Sequence, residues 1–326
     1  MLRTIAGLLA GTARRERGAA APYASLRTEG AFITAWDAQG REIYIDRRTW
    51  LLDVLLPNLR RHWDDADALA DLVVGGVDDG FATNLLEASR RVLELDRHRK
   101  PERGYLLRGI VLRENRRLSQ AQSVLEEGIR LVGRRAALLV NLAKVHAERD
   151  DGAKAEALLW EGLQGDPNLE AGLAWWVEGA RRRSGEEGAR QALRQAAGLP
   201  RSWLAPLWLA RGHLQAQELD EAVALYRRVL GSAHQQPLAV ATIAQDLARH
   251  RQAGALVELL GPVYDPLRHE AQAGVQLLDA LLQLQRRKEG QALLVRLERV
   301  APAALQPRLQ ALAEAFAVPG GGVPAA

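Results

Sequence analysis

Small and large apolar residues recur with a period of 33 or 34 residues along most of this chain. One position per period carries a mostly small residue: Gly76, Gly109, Ala143, Val177, Ala210, Ala244 and Leu278. Twelve residues later comes a second, mostly small residue: Ala88, Ala121, Ala155, Ala189, Ala222, Leu256 and Gly290. Four residues further on a larger one follows: Val92, Leu125, Leu159, Leu193, Tyr226, Leu260 and Leu294. The pattern predicts two helices per repeat that cross closely at the small residues, while the larger residue packs one repeat against the next.

This repeat resembles the tetratricopeptide repeat across residues 69–304. The repeat at 136–169 matches best, with these residues where the family has them: Leu139, Leu142, Ala143, Ala155, Leu159, Gly162 and Pro167. The repeat at 203–236 carries Pro206 in its first helix and keeps a familiar opening of its second: Asp220, Glu221, Ala222 and Tyr226. The resemblance implies an all-α fold, a right-handed α-solenoid of the tetratricopeptide type with about seven helix-pair repeats.

A different pattern precedes the repeats. Between residues 31 and 46 the period changes to two, with a turn-like sequence at 38–40, which predicts a β-hairpin. A lone hairpin is marginal in water, so we expect it to pack on the helix that follows. That helix carries an apolar stripe, broken near Pro57: Trp50, Leu51, Val54, Leu55 and Leu59. Residues 31–68 are therefore predicted to form a small hairpin and helix module that caps the first repeat.

The two ends of the chain have little to bury. A short apolar stretch near the start is followed at once by charged residues, which favours a flexible or amphipathic leader at 1–30 over a cleaved secretory signal. We expect a C-terminal capping helix at 305–318 and a disordered Pro, Gly and Ala tail at 319–326. No stretch approaches the roughly 18 apolar residues of a membrane span, so the sequence predicts a cytoplasmic protein.

Composition changes this picture in two ways. The chain has no cysteine, which excludes disulfides, thiolate metal sites and a catalytic cysteine. Its 44 basic and 40 acidic residues give a net charge of +4, and nearly all the basic residues are Arg, which indicates a GC-rich, bacterial-type genome more than phosphate binding. The alternative is a nucleic-acid-binding repeat protein that uses basic residues at turns between repeats: Arg97, Arg99, Lys100, Arg134 and Arg135.

The sequence contains no recognisable catalytic motif. Its seven histidines are scattered, and His146 and His213 fall at the eleventh place of their repeats, where a packing side chain is expected. The acids after His62 could bind a metal, but a helix cap by Asp64 or Asp65, with the other acids near the positive end of the helix, explains them better. We therefore predict no enzyme activity, no metal and no cofactor, and rank an enzymatic N-terminal module last.

The resemblance also implies where a partner binds. In tetratricopeptide proteins the first helix of each repeat lines an inner face, with its second, fifth, sixth, ninth, twelfth and thirteenth places exposed. The candidate partner-binding residues here are Asn141, Lys144, Trp175, Glu178, Arg181, Trp208 and Arg211. Trp175 and Trp208 both occupy the sixth place, which suits a protein segment with apolar and acidic groups. Alternatively, Trp175 shares its burial with Trp176, and Trp208 fills space beside Pro206.

The predicted function is a non-enzymatic scaffold or adaptor that binds a partner segment on this inner face. The carboxylate clamp with which some family members hold chaperone C-termini is not expected, because only Asn141 fits it. The other four clamp positions are occupied by Leu106, Ile110, Ala171 and Trp175. The sequence leaves open which protein is bound and whether the outer repeats form a homodimer.

Overall fold

The computed structural model describes residues 32–36, 42–233 and 236–317. The chain divides into two compact units, Met1–Trp176 and Val177–Ala326, called here the N-terminal unit and the C-terminal unit. The predicted leader at 1–30, the hairpin turn at 38–40 and the predicted tail at 319–326 lie outside the described residues. None of the helices that the structure describes is both long and apolar enough to cross a bilayer.

The N-terminal unit begins with the hairpin. Strands β1 (Phe32–Trp36) and β2 (Glu42–Asp46) pair in antiparallel orientation. One face of the hairpin packs into the core of the unit, where Ile33 and Ala35 are buried together with Trp50. The period-two pattern predicts this arrangement, because successive residues of a strand point to opposite faces.

The helix after the hairpin is not broken at Pro57, and that expectation from the sequence was wrong. Helix α1 (Arg47–Thr49) runs through a π-helical segment (Trp50–Leu55) directly into α2 (Leu56–Arg61). Pro57 is the second residue after the π-helical segment and has no N–H to donate to the preceding turn. The wider π turn shifts the hydrogen-bond register just before the proline, so the chain stays helical and Trp50 stays in the core.

Helix pairs follow in the N-terminal unit. They are α3 (Ala66–Asp78) with α4 (Leu86–Asp96), which a 3₁₀ turn (Ala82–Leu85) precedes; α5 (Pro101–Glu114) with α6 (Leu118–Val132); and α7 (Ala136–Ala147) with α8 (Gly152–Gly165). The helices of a pair approach closely at the predicted small positions. At Gly109 in α5, an added Cβ would lie 2.5 Å from a Cδ of Leu125 in α6, so a larger residue would push the two helices apart.

Helix α9 (Glu170–Ala197) begins in the N-terminal unit and continues into the C-terminal unit, with a break at Ser184 and Gly185. The helices that follow are α10 (Leu204–Gln215), α11 (Leu219–Ala233), α12 (Pro237–Arg249), α13 (Ala253–Leu260), α14 (Ala271–Gln283), α15 (Arg287–Glu298) and, after a 3₁₀ turn (Ala303–Leu305), α16 (Gln306–Ala317). Pro206 departs from the family pattern, yet it lies in the first turn of α10, where it does not interrupt the helix.

The predicted crossing positions are almost all buried. All seven positions in the first helices and all seven small positions in the second helices are buried. The exception is among the larger residues, where Leu193 is half-buried while its neighbour Ala192 is buried. The size pattern in the sequence therefore locates where the helices cross.

The turn between the two helices of a repeat recurs with one geometry. In six repeats a backbone N–H donates to the carbonyl five residues earlier, as from Arg117 to Leu112 at 2.9 Å and from Gln252 to Leu247 at 2.9 Å; the fourth repeat instead breaks at Gly185, with φ 63° and ψ −157°. The residue before that N–H has a positive φ, 78° at Gly80 and between 57° and 63° at these non-glycine residues: Arg116, Asp150, Gln217, Arg251 and Gln285. Glycine usually marks such a position, and of these six turns only the first has it.

Replacing Arg251 with glycine is expected to raise the free energy of unfolding by about 1 kcal/mol, because glycine has no Cβ to crowd a left-handed backbone. Arg251 is exposed, so the change removes no buried contact. Urea denaturation followed by circular dichroism measures the difference. The matched control is Arg249→Gly in the last turn of α12, which should lower stability by up to about 1 kcal/mol. A loss of stability in both variants would contradict the prediction.

Candidate functional site

Three of the seven predicted partner-binding residues lie in the N-terminal unit. Asn141 Nδ2 donates to the backbone carbonyl of Ala137 at 2.9 Å, one turn earlier in α7. Lys144, also on α7, is half-buried. Trp175 on α9 is half-buried and packs with Trp176 against the apolar cluster of α5 to α8. The two tryptophans therefore share their burial, as the alternative interpretation of Trp175 expected.

Three more lie in the C-terminal unit. Arg181 donates to Glu178 at 2.8 Å and to Glu186 at 2.7 Å. All three side chains are at least 39% exposed, so these ion pairs add little stability. Trp208 on α10 is half-buried and packs against the core of this unit. A half-buried tryptophan keeps part of its ring accessible while the rest fixes its position.

The seventh residue, Arg211, is held by a buried acid. Its Nε lies 3.0 Å from Oδ1 of Asp246, and the same carboxylate accepts the Tyr226 hydroxyl at 3.0 Å. Burial, followed by the charge of Asp246, raises the pKa of Tyr226, so its hydroxyl stays protonated and donates. An acidic group of a partner would have to share Arg211 with Asp246. The seven residues as a binding set remain a prediction.

A pocket of about 660 Å³ opens in the N-terminal unit among α3, α5 and the start of α7. Its apolar lining is formed by Ala70, Val74, Pro101, Leu106, Leu107 and Val132. Val74 is 37% exposed and Leu106 is half-buried, so apolar surface faces the opening. Because α3 and α5 are the first helices of neighbouring repeats, the pocket lies on the face that the resemblance implies for partner binding.

Ion pairs hold α5 to α3 and α4 beside this pocket. Arg103 donates two hydrogen bonds to the buried carboxylate of Asp96, at 2.6 Å from Nε and 2.8 Å from Nη2. Its Nη1 lies 2.6 Å from Asp67. Lys100 Nζ lies 2.7 Å from Asp67 as well. Hydrogen bonds from Lys100 and Arg103 lower the pKa of Asp67 to about 2. The cations on this side of the pocket are therefore already matched by protein acids.

Asp71 lines the same pocket and forms no hydrogen bond or ion pair with any other residue that the structure describes. Burial raises the pKa of Asp71, and the nearby charge of Arg103 opposes that rise. Asp71 is also exposed, so its carboxylate is accessible to a donor that a ligand supplies. The pocket thus combines an apolar surface with one exposed acid that has no hydrogen-bond partner among the described residues.

The acids near His62 have protein partners of their own. Asp65 caps α3 by accepting the N–H groups of Asp67 and Ala68 at 3.1 Å. Asp64 pairs with Arg91. The helix-cap interpretation is confirmed for Asp65, and within the described ranges no three His, Asp or Glu side chains are placed to hold a metal ion.

Four of the five basic residues considered for nucleic-acid binding, Arg99, Lys100, Arg134 and Arg135, have an acid within ion-pair distance. Arg99 lies 3.6 Å from Asp67, which Lys100 contacts too, and Arg134 Nη2 lies 2.6 Å from Glu161. These acids offset part of the positive charge on which the nucleic-acid alternative depends.

The two histidines at the eleventh place have a structural role, as predicted. His146 Nδ1 lies 3.1 Å from Asp151, and His213 Nδ1 lies 2.6 Å from Glu218. Each pair joins the residues that begin and end the turn between two helices. The two histidines therefore stabilise the turn between the two helices of their repeats.

Sequence reasoning missed Val74 and Asp71. Val74 is the sixth residue of the repeat that starts at Leu69, the place that Leu107 holds in the next repeat. Applying the inner-face rule to the first repeat would have identified Val74. Asp71 falls at the third place, which that rule omits, so only the packing of α3 against α5 reveals it.

No protein-family model and no curated protein sequence matches this chain. Solved structures resemble it: a tetratricopeptide repeat protein from Parabacteroides merdae is 14% identical, with 77% of this chain and 98% of that one covered and a TM-score of 0.32. The C-terminal part of a TPR repeat-containing protein from Cytophaga hutchinsonii is 12% identical, with 77% of this chain and 98% of that one covered and a TM-score of 0.36. Yeast Tom70 is 13% identical, with 81% of this chain and 57% of Tom70 covered and a TM-score of 0.38.

These three TM-scores, between 0.32 and 0.38, are too low to carry an argument. The fold rests on features of the chain itself: helix pairs at a period of 33 or 34 residues, close crossings such as that at Gly109, and a recurring turn between helices. Together they make residues 69–304 a helical repeat whose pattern resembles the tetratricopeptide repeat.

Proposed function

We propose that this protein is a non-enzymatic scaffold or adaptor that binds a segment of a partner protein on the face formed by the first helices of its repeats. The observation that carries the proposal is the pocket between α3 and α5, where Val74 and Leu106 present apolar surface to the outside. Its volume of about 660 Å³ is in the range of ligand pockets and suits a large apolar side chain of a partner. Such buried anchors supply most of the affinity of a protein interface.

Within each unit, further residues of the first helices extend the proposal. Asn141 and Lys144 on α7, with Trp175 on α9, would contact the segment in the N-terminal unit. In the C-terminal unit the corresponding contacts would come from Glu178, Arg181, Trp208 and Arg211. Both Trp175 and Trp208 are half-buried, and partly exposed aromatic rings with fixed positions are typical of interface anchors.

Val74→Asp is expected to weaken capture of the partner about tenfold or more, since it places a second carboxyl group in the apolar pocket beside Asp71. The measurement is affinity capture from the native lysate with quantitative mass spectrometry, followed by titration of the purified partner. Leu131→Asp is the matched control: Leu131 is 64% exposed on α6, a second helix, and does not line the pocket.

A partner captured equally by wild type, Leu131→Asp and Val74→Asp would rule out the pocket as its binding site. A triple variant, Trp175→Ala, Trp208→Ala and Arg211→Ala, tests the remaining contacts in the same assay, with circular dichroism to show that the variant is folded. Retention of the partner by both the triple variant and Val74→Asp would contradict binding on this face.

A further inference from the structure

Two basic side chains on the first helices α5 and α7 each have a nitrogen with no hydrogen-bond acceptor among the described residues. Arg113, at the end of α5, is 16% exposed, and its Nε is buried with no hydrogen-bond partner among the described residues. Its two terminal nitrogens are occupied, Nη1 by Glu148 at 3.2 Å and Nη2 by Glu114. An N–H buried without an acceptor is unfavourable, so Nε would gain from an acceptor that the described residues do not supply.

Lys144, on the neighbouring first helix α7, is in a similar state. It is half-buried, and it forms no hydrogen bond or ion pair with any residue of the described part of the chain. Burial, followed by the charge of Arg113, lowers the pKa of Lys144, while Glu114 and Glu148 act in the opposite sense. The ammonium group is thus desolvated and close enough to Arg113 to feel its charge.

The charges around this pair do not cancel. Arg113, Arg116 and Lys144 carry three positive charges, and Glu114 and Glu148 carry two negative ones, with Glu148 shared between the two arginines. One positive charge is left over. A ligand with a single negative charge and two acceptor oxygens would balance the cluster, with one oxygen accepting from Lys144. Because Nε of Arg113 is buried, the second oxygen reaches it only when the Arg113 side chain turns toward the ligand.

We propose that Arg113 and Lys144 bind the side-chain carboxylate of an aspartate or glutamate in the partner segment, an inference that rests on the proposed function. A carboxylate matches the one excess charge, whereas a phosphate dianion would exceed it. The pair does not coincide with the five positions of the chaperone-tail clamp, four of which hold Leu106, Ile110, Ala171 and Trp175. It therefore defines an acid-binding position of this chain's own.

The charged form of Lys144 lowers the stability of the folded protein when no ligand is bound. Folding lowers the pKa of Lys144, so this loss of folding free energy is fully present below the folded pKa. It disappears as the pH rises above the ordinary value of 10.5. Lys144→Met keeps the aliphatic stem and removes the charge, so it should raise the Tm at neutral pH. A gain in stability together with a loss of binding is typical of a residue retained for its ligand.

The test is a selection from a library of random displayed peptides with the full-length wild-type protein. Enriched peptides are expected to share an Asp or Glu at one aligned position. Replacing that Glu with Gln in the best peptide should weaken binding to wild type about tenfold, as for a lost charge-assisted hydrogen bond. The same change should have no effect on Lys144→Met, and Arg113→Lys should weaken the acidic peptide as well. Lys154→Met, at an exposed lysine on α8, is the control and should behave like wild type.

The outcomes separate the two proposals. Peptides that bind wild type but show no preference for an acid, or whose Glu to Gln change matters equally on Lys144→Met, overturn this inference and leave the scaffold function standing. Failure to enrich any peptide over the Val74→Asp protein overturns both. Displacement of the acidic peptide by millimolar inorganic phosphate would assign the pair to a free anion instead of a peptide carboxylate.

Discussion

Arg103→Ala is expected to lower the free energy of unfolding of the N-terminal unit by about 3–5 kcal/mol, because it leaves a buried carboxylate without its partner. Asp96 has 0% exposure, and both of its oxygens accept from Arg103, at 2.6 and 2.8 Å. Without the guanidinium, this buried carboxylate loses both hydrogen bonds that Arg103 donates to it. The same change also removes one of the cations that contact Asp67 on α3, which keeps Lys100 and Arg99.

Hydrogen exchange of the amides in α4 and α5 is the appropriate measurement, since two compact units need not unfold in one step. Arg227→Ala provides the contrast: Arg227 and Glu258 also form a 2.6 Å pair, but their side chains are 61% and 64% exposed, and the expected loss is at most about 1 kcal/mol. A double variant, Arg103→Met with Asp96→Leu, replaces both charges by apolar side chains. It should be more stable than Arg103→Ala and recover most of the free energy of unfolding that the single change loses. Equal losses at the exposed and buried pairs would refute this account of Asp96.

The sequence predicts the close crossings well because they depend on residue size at a fixed spacing. Gly109 and Leu125 illustrate this: their spacing places them at one crossing, and there is no room for a Cβ between them. The left-handed residues of the recurring turns were not predicted, because glycine usually marks such a position and residues such as Arg116 and Arg251 stand there instead. The backbone geometry is kept by the packed helices on both sides, which outweigh the preference of the single residue.

Charge pairing was beyond sequence reasoning. Among 44 basic and 40 acidic residues, nothing in the sequence selects Asp96 as the partner of Arg103 or Asp246 as that of Arg211. Such pairs depend on how neighbouring helices are offset along their axes. The positions that line the inner face of the family did include Lys144. That no described residue accepts a hydrogen bond from its ammonium group appears only once α5 and α7 are packed.

Phe316→Ala is expected to lower the stability of the C-terminal unit by about 3–5 kcal/mol, the cost of emptying a fully packed aromatic site. Phe316 is 2% exposed on α16, which packs on α14 and α15. Its ring fills the space above Gly290 on α15, where any Cβ would overlap it. Urea denaturation followed by circular dichroism measures the loss.

Gly290 occupies the place that Ala222 and Leu256 hold in the two preceding repeats. Gly290→Leu alone should cost about 1–3 kcal/mol by overpacking against Phe316, yet combined with Phe316→Ala it should restore part of the loss, because leucine then fills the vacated space. A double variant as unstable as the sum of the two single changes would show that the ring and the glycine do not share this space. Rescue would mean that the last repeat omits a side chain so that α16 can supply one, and that α16 covers the apolar face on which a further repeat would stack.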